Sequence, residues 1–363
     1  MIEPTPAARH FIIGLPGMAL DDSTRRLLDR GVSGVILFSR NVQSPEQVAE
    51  LVRSVKAHAG RPVLVGVDQE GGRVARLRDG FTPLPSMREL GRAGGVYKAK
   101  AVGAVLGREL RAVGINVAFA PVLDVDTNPA NPVIGDRSLG AEPKLVAELG
   151  TAVARGIQSA GVAACGKHFP GHGDTSVDSH QALPRLTHDM QRLQSVELLP
   201  FRAAIADHIP AIMTSHIVFE ALDPDRPATV SPAVIDGLLR QQMGFNGIVF
   251  TDCMQMRAIA DAIGTTEAAC QAVKAGVDLV LISHDHDLAH IAIDRLASAR
   301  AGGELDDISL AASAKRIDVF SQDFANNMDN RSGLDVLNCD EHRLVVERLI
   351  DRNTGLTDPT ESN

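Results

Sequence analysis

The chain has 363 residues, 44% of them hydrophobic, and its 45 acidic residues against 36 Lys and Arg give a formal net charge of −9. That balance, with no locally basic run, argues against a nucleic-acid surface, and no apolar stretch is long enough to span a membrane. The apolar content suffices for one large core, and a small soluble partner is expected.

The amino terminus, MIEPTPAARHFIIGLPG, carries an acidic residue and two prolines where a secretory signal would be basic and then apolar, so a cytoplasmic location is expected. Beyond it, short apolar runs alternate with amphipathic stretches. Predicted strands are His10–Gly14, Gly34–Phe38, Pro62–Asp68, Ile115–Ala120, Val162–Lys167, Ala211–Ser215, Gly247–Thr251 and Val277–Ser283. Predicted helices between them are Asp21–Arg30, Pro45–His58, Tyr97–Val113, Pro143–Ala160, Met190–Asp207, Pro232–Met243, Thr266–Ala275 and Asp287–Ala301. Eight of each, alternating, predict an α/β fold of the (β/α)8 TIM-barrel type as a single domain, with an open doubly wound sheet as the alternative. Glycines at several helix-to-strand junctions, among them Gly31, Gly161 and Gly276, read as left-handed caps.

Cys165, Cys253, Cys270 and Cys339 are widely spaced, with no CxxC pair, and are expected to be free thiols. Cys165 and Cys253 fall near strand ends, where a small packed core residue is the favoured reading.

Polar residues collect at the carboxyl ends of the strands, where a barrel carries its chemistry. They read Asp68-Gln-Glu70-Gly-Gly-Arg73, Asp124-Val-Asp126 with Arg137 further on, Lys167-His168, Thr214-Ser-His216, Thr251-Asp252 and Ser283-His284. The strand beginnings are Gly, Pro or apolar. In DQEGGRVAR, Gly71 and Gly72 would let the backbone approach a polar ligand, with Arg73 and Arg76 beside it. Asp124 and Asp126 could instead form a structural ion pair with Arg137. Asp252 should project into the mouth of the barrel.

The densest polar segment is KHFPGHGDTSVDSHQALP, Lys167 to Pro184. His168, His172, Asp174, Asp178 and His180 could ligate a divalent metal. The first strand end, Gly14-Leu-Pro-Gly17, lacks the His-x-His pair that metal-dependent barrel hydrolases use, so no metal and no other cofactor are expected. The competing reading makes Asp178 a carboxylate that orients His180 for proton transfer.

KHFPGHGDTSVDSH, with DQEGGRVARL, GDRS, MTSHIVFEALDPDRPATVS and GFNGIVFTDCMQM, resembles the single-domain bacterial β-N-acetylglucosaminidases of glycoside hydrolase family three. The resemblance runs from about Gly14 to Phe320. It implies a barrel, no metal, Asp252 as nucleophile, and His180 as acid/base with Asp178 its partner. It also implies that Asp68, Arg76, Arg137, Lys167 and His168 hold sugar hydroxyls at the nonreducing end. The implied reaction is retaining exo-hydrolysis of peptidoglycan (muropeptide) fragments through a covalent glycosyl-enzyme. A phosphorylase using inorganic phosphate is the alternative; a catalytically dead sugar-binding barrel is a third reading.

With no Trp, one Tyr and 3% aromatic residues, the chain lacks the stacking platforms of an enzyme that tracks along a polysaccharide, so a small soluble amino-sugar oligosaccharide or muropeptide is the expected substrate of a monomer. Residues 1–322 are expected to form the barrel domain, and 323–363 an extension with one short helix, Asp340–Asp351, and a frayed terminus.

Overall fold

The structure is a computed structural model that describes residues 5–176, 183–325 and 333–350. Eight parallel strands close into a barrel in sequence order: β1 (Phe11–Gly14), β2 (Gly34–Leu37), β3 (Leu64–Val67), β4 (Val117–Ala118), β5 (Ala163–Phe169), β6 (Ala211–Thr214), β7 (Ile248–Cys253) and β8 (Leu279–Ile282), with β8 pairing back onto β1. This is the predicted TIM barrel.

Both faces of each strand are buried, which is why the strands read as continuous apolar runs. Phe11, Ile13, Val35, Leu37, Val65, Val67, Val249, Val280 and Ile282 face the surrounding helices. Their neighbours Ile12, Ile36, Leu64, Ile248, Phe250, Leu279 and Leu281 fill the barrel. Gly66 belongs to this interior: a Cβ there would lie 2.6 Å from the Phe119 ring, so its absence makes room for that ring.

β4 is shorter than predicted at both ends; just past its carboxyl end Pro121 brings no N–H to the ladder, although its carbonyl still accepts from Lys167 N. β7 is longer and contains Asp252. The predicted helix Met190–Asp207 is two pieces, Met190–Ser195 and Leu198–Ala206. Pro200 explains the break, since it cannot donate to the carbonyl of Val196 four residues back. The predicted helix Pro232–Met243 is a π-helical stretch, Ala233–Gln242, in which Met243 N donates to Leu238 O at 2.9 Å.

Among the described residues, three α-helices were not predicted: the single turn Arg257–Ala260, Met87–Ala93 and Asp307–Ala325. Met87–Ala93 opens on a reciprocal Ser86 and Glu89 capping box. Asp307–Ala325 closes the base of the barrel, where Ile317 and Phe320 enter the interior cluster. Phe320 packs edge-on against Phe250, with ring centroids 6.2 Å apart, and Phe250 against Phe119 at 5.3 Å. Buried Asp278 fixes this helix by accepting from Ser313 Oγ at 2.7 Å and from Arg316 at 2.8 and 3.0 Å. Its buried face is Ser313, Ile317 and Phe320, helical in spacing but only two apolar residues deep, so it carries little sequence signal.

Helix Asp340–Ile350 docks on the barrel wall through Glu109, whose Oε1 accepts from Thr82 Oγ1 at 2.6 Å, Asn338 N at 2.9 Å and His342 Nδ1 at 2.9 Å.

Candidate functional site

The carboxyl ends of β3 and β5 carry a buried charge network. Lys167 at the end of β5 is 2% exposed, and its Nζ lies 2.7 Å from Asp68 Oδ1 and 2.6 Å from Glu70 Oε1. Glu70 also receives both arms of Arg137, Nε to Oε2 at 2.8 Å and Nη2 to Oε1 at 2.9 Å. Such a two-pronged pair fixes direction as well as charge. Burial favours the neutral form of Glu70, but Lys167 and Arg137 outweigh it and hold the carboxyl well below its usual range. Burial opposes the charge of Lys167, and Asp68 and Glu70 overcome it and raise the ammonium's pKa.

His168 is oriented from two sides. Its Nδ1 is 2.7 Å from Asp124 Oδ2, and its Nε2 is 3.3 Å from Arg137 Nη2. Arg137 can only donate, so Nε2 accepts and the ring hydrogen on Nδ1 points at Asp124. Asp124 Oδ1 accepts the backbone N–H groups of His168 at 3.1 Å and His172 at 2.7 Å, so one fully buried carboxylate shapes the start of the histidine-rich loop. Burial would raise its pKa, but His168 and these donors keep it depressed. Desolvation, reinforced by His168, lowers His172 to about 4. Gly173 is required here because a Cβ would sit 1.7 Å from Val125 O.

The ion pairing of Asp124 and Asp126 with Arg137 is not what the structure holds. Asp124 serves His168, Asp126 pairs with Arg88, and Arg137 turns to Glu70. Gly71 and Gly72 line neither of the two cavities at the strand ends. A Cβ on Gly71 would lie 2.3 Å from Pro85 O and one on Gly72 2.8 Å from Ser86, so both glycines serve close packing of the hairpin Gln69–Gly71/Val74–Ala75. Gln69 closes that hairpin, its Oε1 accepting from Arg76 N at 2.9 Å and Leu77 N at 3.0 Å. Arg76 is thereby placed 3.7 Å from Asp68, and its Nε is buried with no hydrogen-bond partner among the described residues. Arg73 pairs instead with exposed Asp136.

Asp252 lies on β7 where the register with β8 shifts. Its Oδ1 accepts from Cys253 N at 2.7 Å. Burial pushes its carboxyl up, and the combined influence of His216, His168, the Cys253 N–H and Lys167 brings it below the usual range. Asp252 lines two adjoining cavities, together with Asp68, Arg76 and Met213. One, of about 240 Å³, continues to Glu70, Arg137, Lys167, His168 and His172. The other, of about 260 Å³, continues to Phe38, Cys253, Gln255, Arg257, Ser283 and His284. A larger hollow of about 500 Å³ opens at the opposite end of the barrel, beside Arg9, Arg61 and Asp318, away from every strand-end group.

Asp68, Arg76, Arg137, Lys167, His168 and Asp252 therefore meet in one place. Asp178 and His180 lie outside the described residues. Sequence reasoning left Glu70 and Asp124 ambiguous and gave no role to His216, Gln255, Arg257 or His284; the positions of His216 and His284 at strand ends were the available signal. Among the described residues no group of three His, Cys, Asp or Glu side chains is arranged to hold a metal ion, and none of their helices is long and apolar enough to cross a membrane. All four cysteines are free. Cys165 is a barrel-interior residue whose thiol burial pushes up.

Residues 15–319 match the glycosyl hydrolase family 3 N-terminal domain. A β-hexosaminidase of Thiobacillus denitrificans is 44% identical over 292 residues, covering 77% of this chain and 81% of that one. Among solved structures, a family 3 β-N-acetylglucosaminidase from Paenibacillus sp. is 43% identical with a TM-score of 0.91, covering 95% of this chain and 67% of that one. NagZ from Neisseria gonorrhoeae, solved in complex with N-trifluoroacetyl-D-glucosamine, is 33% identical with a TM-score of 0.73, covering 88% of this chain and all of its own (100%). With the barrel and its strand-end carboxylates in place, the chain belongs to glycosyl hydrolase family 3 and is a glycoside hydrolase similar to the β-hexosaminidases of that family.

Proposed function

We propose that the protein is a retaining exo-β-N-acetylglucosaminidase that removes nonreducing-end N-acetylglucosamine from peptidoglycan (muropeptide) fragments. The observation that carries this reading is the position of Asp252, an ionised carboxylate lining the same cavity as the buried Lys167 and Arg137 donors and the His168 ring. One terminal sugar ring enters the cavity of about 240 Å³, whose inner end is closed by the Lys167, Glu70 and Arg137 cluster. Asp68 accepts from its hydroxyls; Lys167, Arg137 and the otherwise unpartnered Nε of Arg76 donate to them. His168, held by Asp124, presents its Nε2 edge to the same cavity.

In the first step a carboxylate oxygen of Asp252 attacks the anomeric carbon while His180 gives its proton to the departing glycosidic oxygen. In the second, His180 takes a proton from water, whose oxygen displaces Asp252 and releases the sugar. Asp178 stabilises the imidazolium that enters the first transfer and is regenerated by the second; between them the ring is neutral. The names of the relatives, β-hexosaminidase and β-N-acetylglucosaminidase, support an amino-sugar substrate.

A slow 5-fluoro N-acetylglucosaminide should label Asp252 in the wild-type protein, and Asp252→Gly should abolish turnover. Label found on Asp124 or Asp126 overturns the assignment. Running the reaction with and without inorganic phosphate separates hydrolysis from phosphorolysis: free sugar under both conditions supports the proposal, and sugar phosphate overturns it.

A further inference from the structure

Asp252 can attack only if one of its oxygens is held toward the anomeric carbon, and the groups that hold it extend beyond the cavity. Its Oδ1 is taken by the N–H of Cys253 at 2.7 Å. The β7–β8 register shifts across Asp252, between Phe250 and Cys253, and resumes at Cys253, where Met254 N donates to Leu281 O at 2.9 Å. The carbonyl of Cys253 receives Met256 N at 3.1 Å and lies 3.0 Å from Nε2 of His216, two residues past β6.

His216 is 1% exposed. Because a carbonyl can only accept, its Nε2 carries the hydrogen and donates. The other edge of the ring is backed by a buried hydroxyl: Thr229 Oγ1 lies 2.8 Å from Nδ1, and 2.9 Å from both Ser215 O and Thr214 Oγ1. Thr214 and Thr229 are fully buried, so the imidazole is clamped between a rigid polar pocket and the peptide that follows the carboxylate.

We infer that His216 is a positioning residue for Asp252: it anchors the carbonyl of Cys253, and with it the backbone of the residue whose N–H holds Oδ1, and so leaves Oδ2 directed at the sugar. The inference rests on the nucleophile assignment made above. Nearness of the imidazole also favours the carboxylate form of Asp252, in the same direction as the geometry. Misplacing a reacting group by about 1 Å can cost on the order of a hundredfold in rate, and nucleophile placement matters in both chemical steps, unlike proton donation to the leaving group.

The test compares His216→Leu, His216→Gln and Thr229→Val with the wild type for the rate at which a 5-fluoro N-acetylglucosaminide labels Asp252, and for kcat and KM on aryl glycosides with good and poor leaving groups. His216→Gln can keep a donor near the Cys253 carbonyl; Thr229→Val keeps the shape behind the ring and removes its hydroxyl, which guards against a His216→Leu chain that does not fold. Labelling and kcat should fall about a hundredfold in His216→Leu, equally for both leaving groups and with KM little changed. His216→Gln should recover most of the loss, and Thr229→Val should show a smaller loss in the same direction. Wild-type labelling rates in the folded variants, or a His216→Gln as slow as His216→Leu, overturn the inference while the nucleophile stands. Label absent from wild-type Asp252 removes both.

Discussion

Lys167 reaches from β5 across the barrel mouth to Asp68 at 2.7 Å while remaining 2.6 Å from Glu70. The two carboxylates share one ammonium but differ in surroundings: Asp68 lines both cavities, and Glu70 is 2% exposed and clamped by Arg137. Asp68→Ala should therefore act on substrate. Losing a hydrogen bond to a charged group removes about 1.5–3 kcal/mol, so kcat/KM should drop between roughly tenfold and just over a hundredfold, with little change in the unfolding midpoint. Glu70→Ala leaves Lys167 and Arg137 buried without their common partner and should lower stability by about 3–5 kcal/mol, read by urea unfolding.

Acid sensitivity follows from two of these groups. The unfolded chain protonates histidine near pH 6.5 and glutamate near about 4.3. Folded His172, desolvated and facing His168, holds off its proton until about pH 4, and Glu70, against its own burial, is held low by Lys167 and Arg137. In both intervals the unfolded state binds more protons, so stability declines as pH falls, first from about 6.5 to about 4 through His172 and then below about 4.3 through Glu70. Urea midpoints at pH 7, 5.5 and 4 should show that order. Nitrogen-detected NMR should find His172 neutral at pH 5.5, and a charged ring there would refute the burial argument.

The role of His180 is separable by leaving group. His180→Ala should slow a natural disaccharide by about a hundredfold to ten-thousandfold, and an aryl glycoside with an acidic phenol far less, because the phenol departs without a proton. Asp178→Asn should give a smaller loss and move the His180 limb of the pH profile to lower pH, since a neutral amide no longer favours the imidazolium. Equal losses on all substrates with an unmoved profile would withdraw the dyad.

The helix at the base of the barrel makes a prediction about stability alone. Phe320→Ala removes the ring that meets Phe250 inside the barrel and should cost about 3–5 kcal/mol. Strand-end chemistry lies at the other mouth, so kcat below the unfolding transition should be unchanged.

The sequence by itself determined the alternation of strands and helices, because strands buried on both faces must be written as unbroken apolar runs and the helices between them keep one apolar stripe; closure into a barrel instead of an open sheet was decided by β8 pairing back onto β1. The sequence also determined where polar residues gather, since most of them stand at the carboxyl ends of those runs. Helix Asp307–Ala325 escaped it: two apolar side chains suffice to plug a barrel that other residues have already closed, and two give no periodicity. Which carboxylate serves which cation was likewise undecided. Asp124, Asp126, Asp68 and Glu70 are alike in a linear reading. Only the tertiary structure, by bringing β3, β4 and β5 side by side, gave Asp124 to His168, Asp126 to Arg88 and Glu70 to Arg137 and Lys167, and left Asp68 lining the cavities it shares with Asp252. Pairing depends on distances between strand ends far apart in the chain, and burial then fixes each partner because a charge in the interior cannot be left alone.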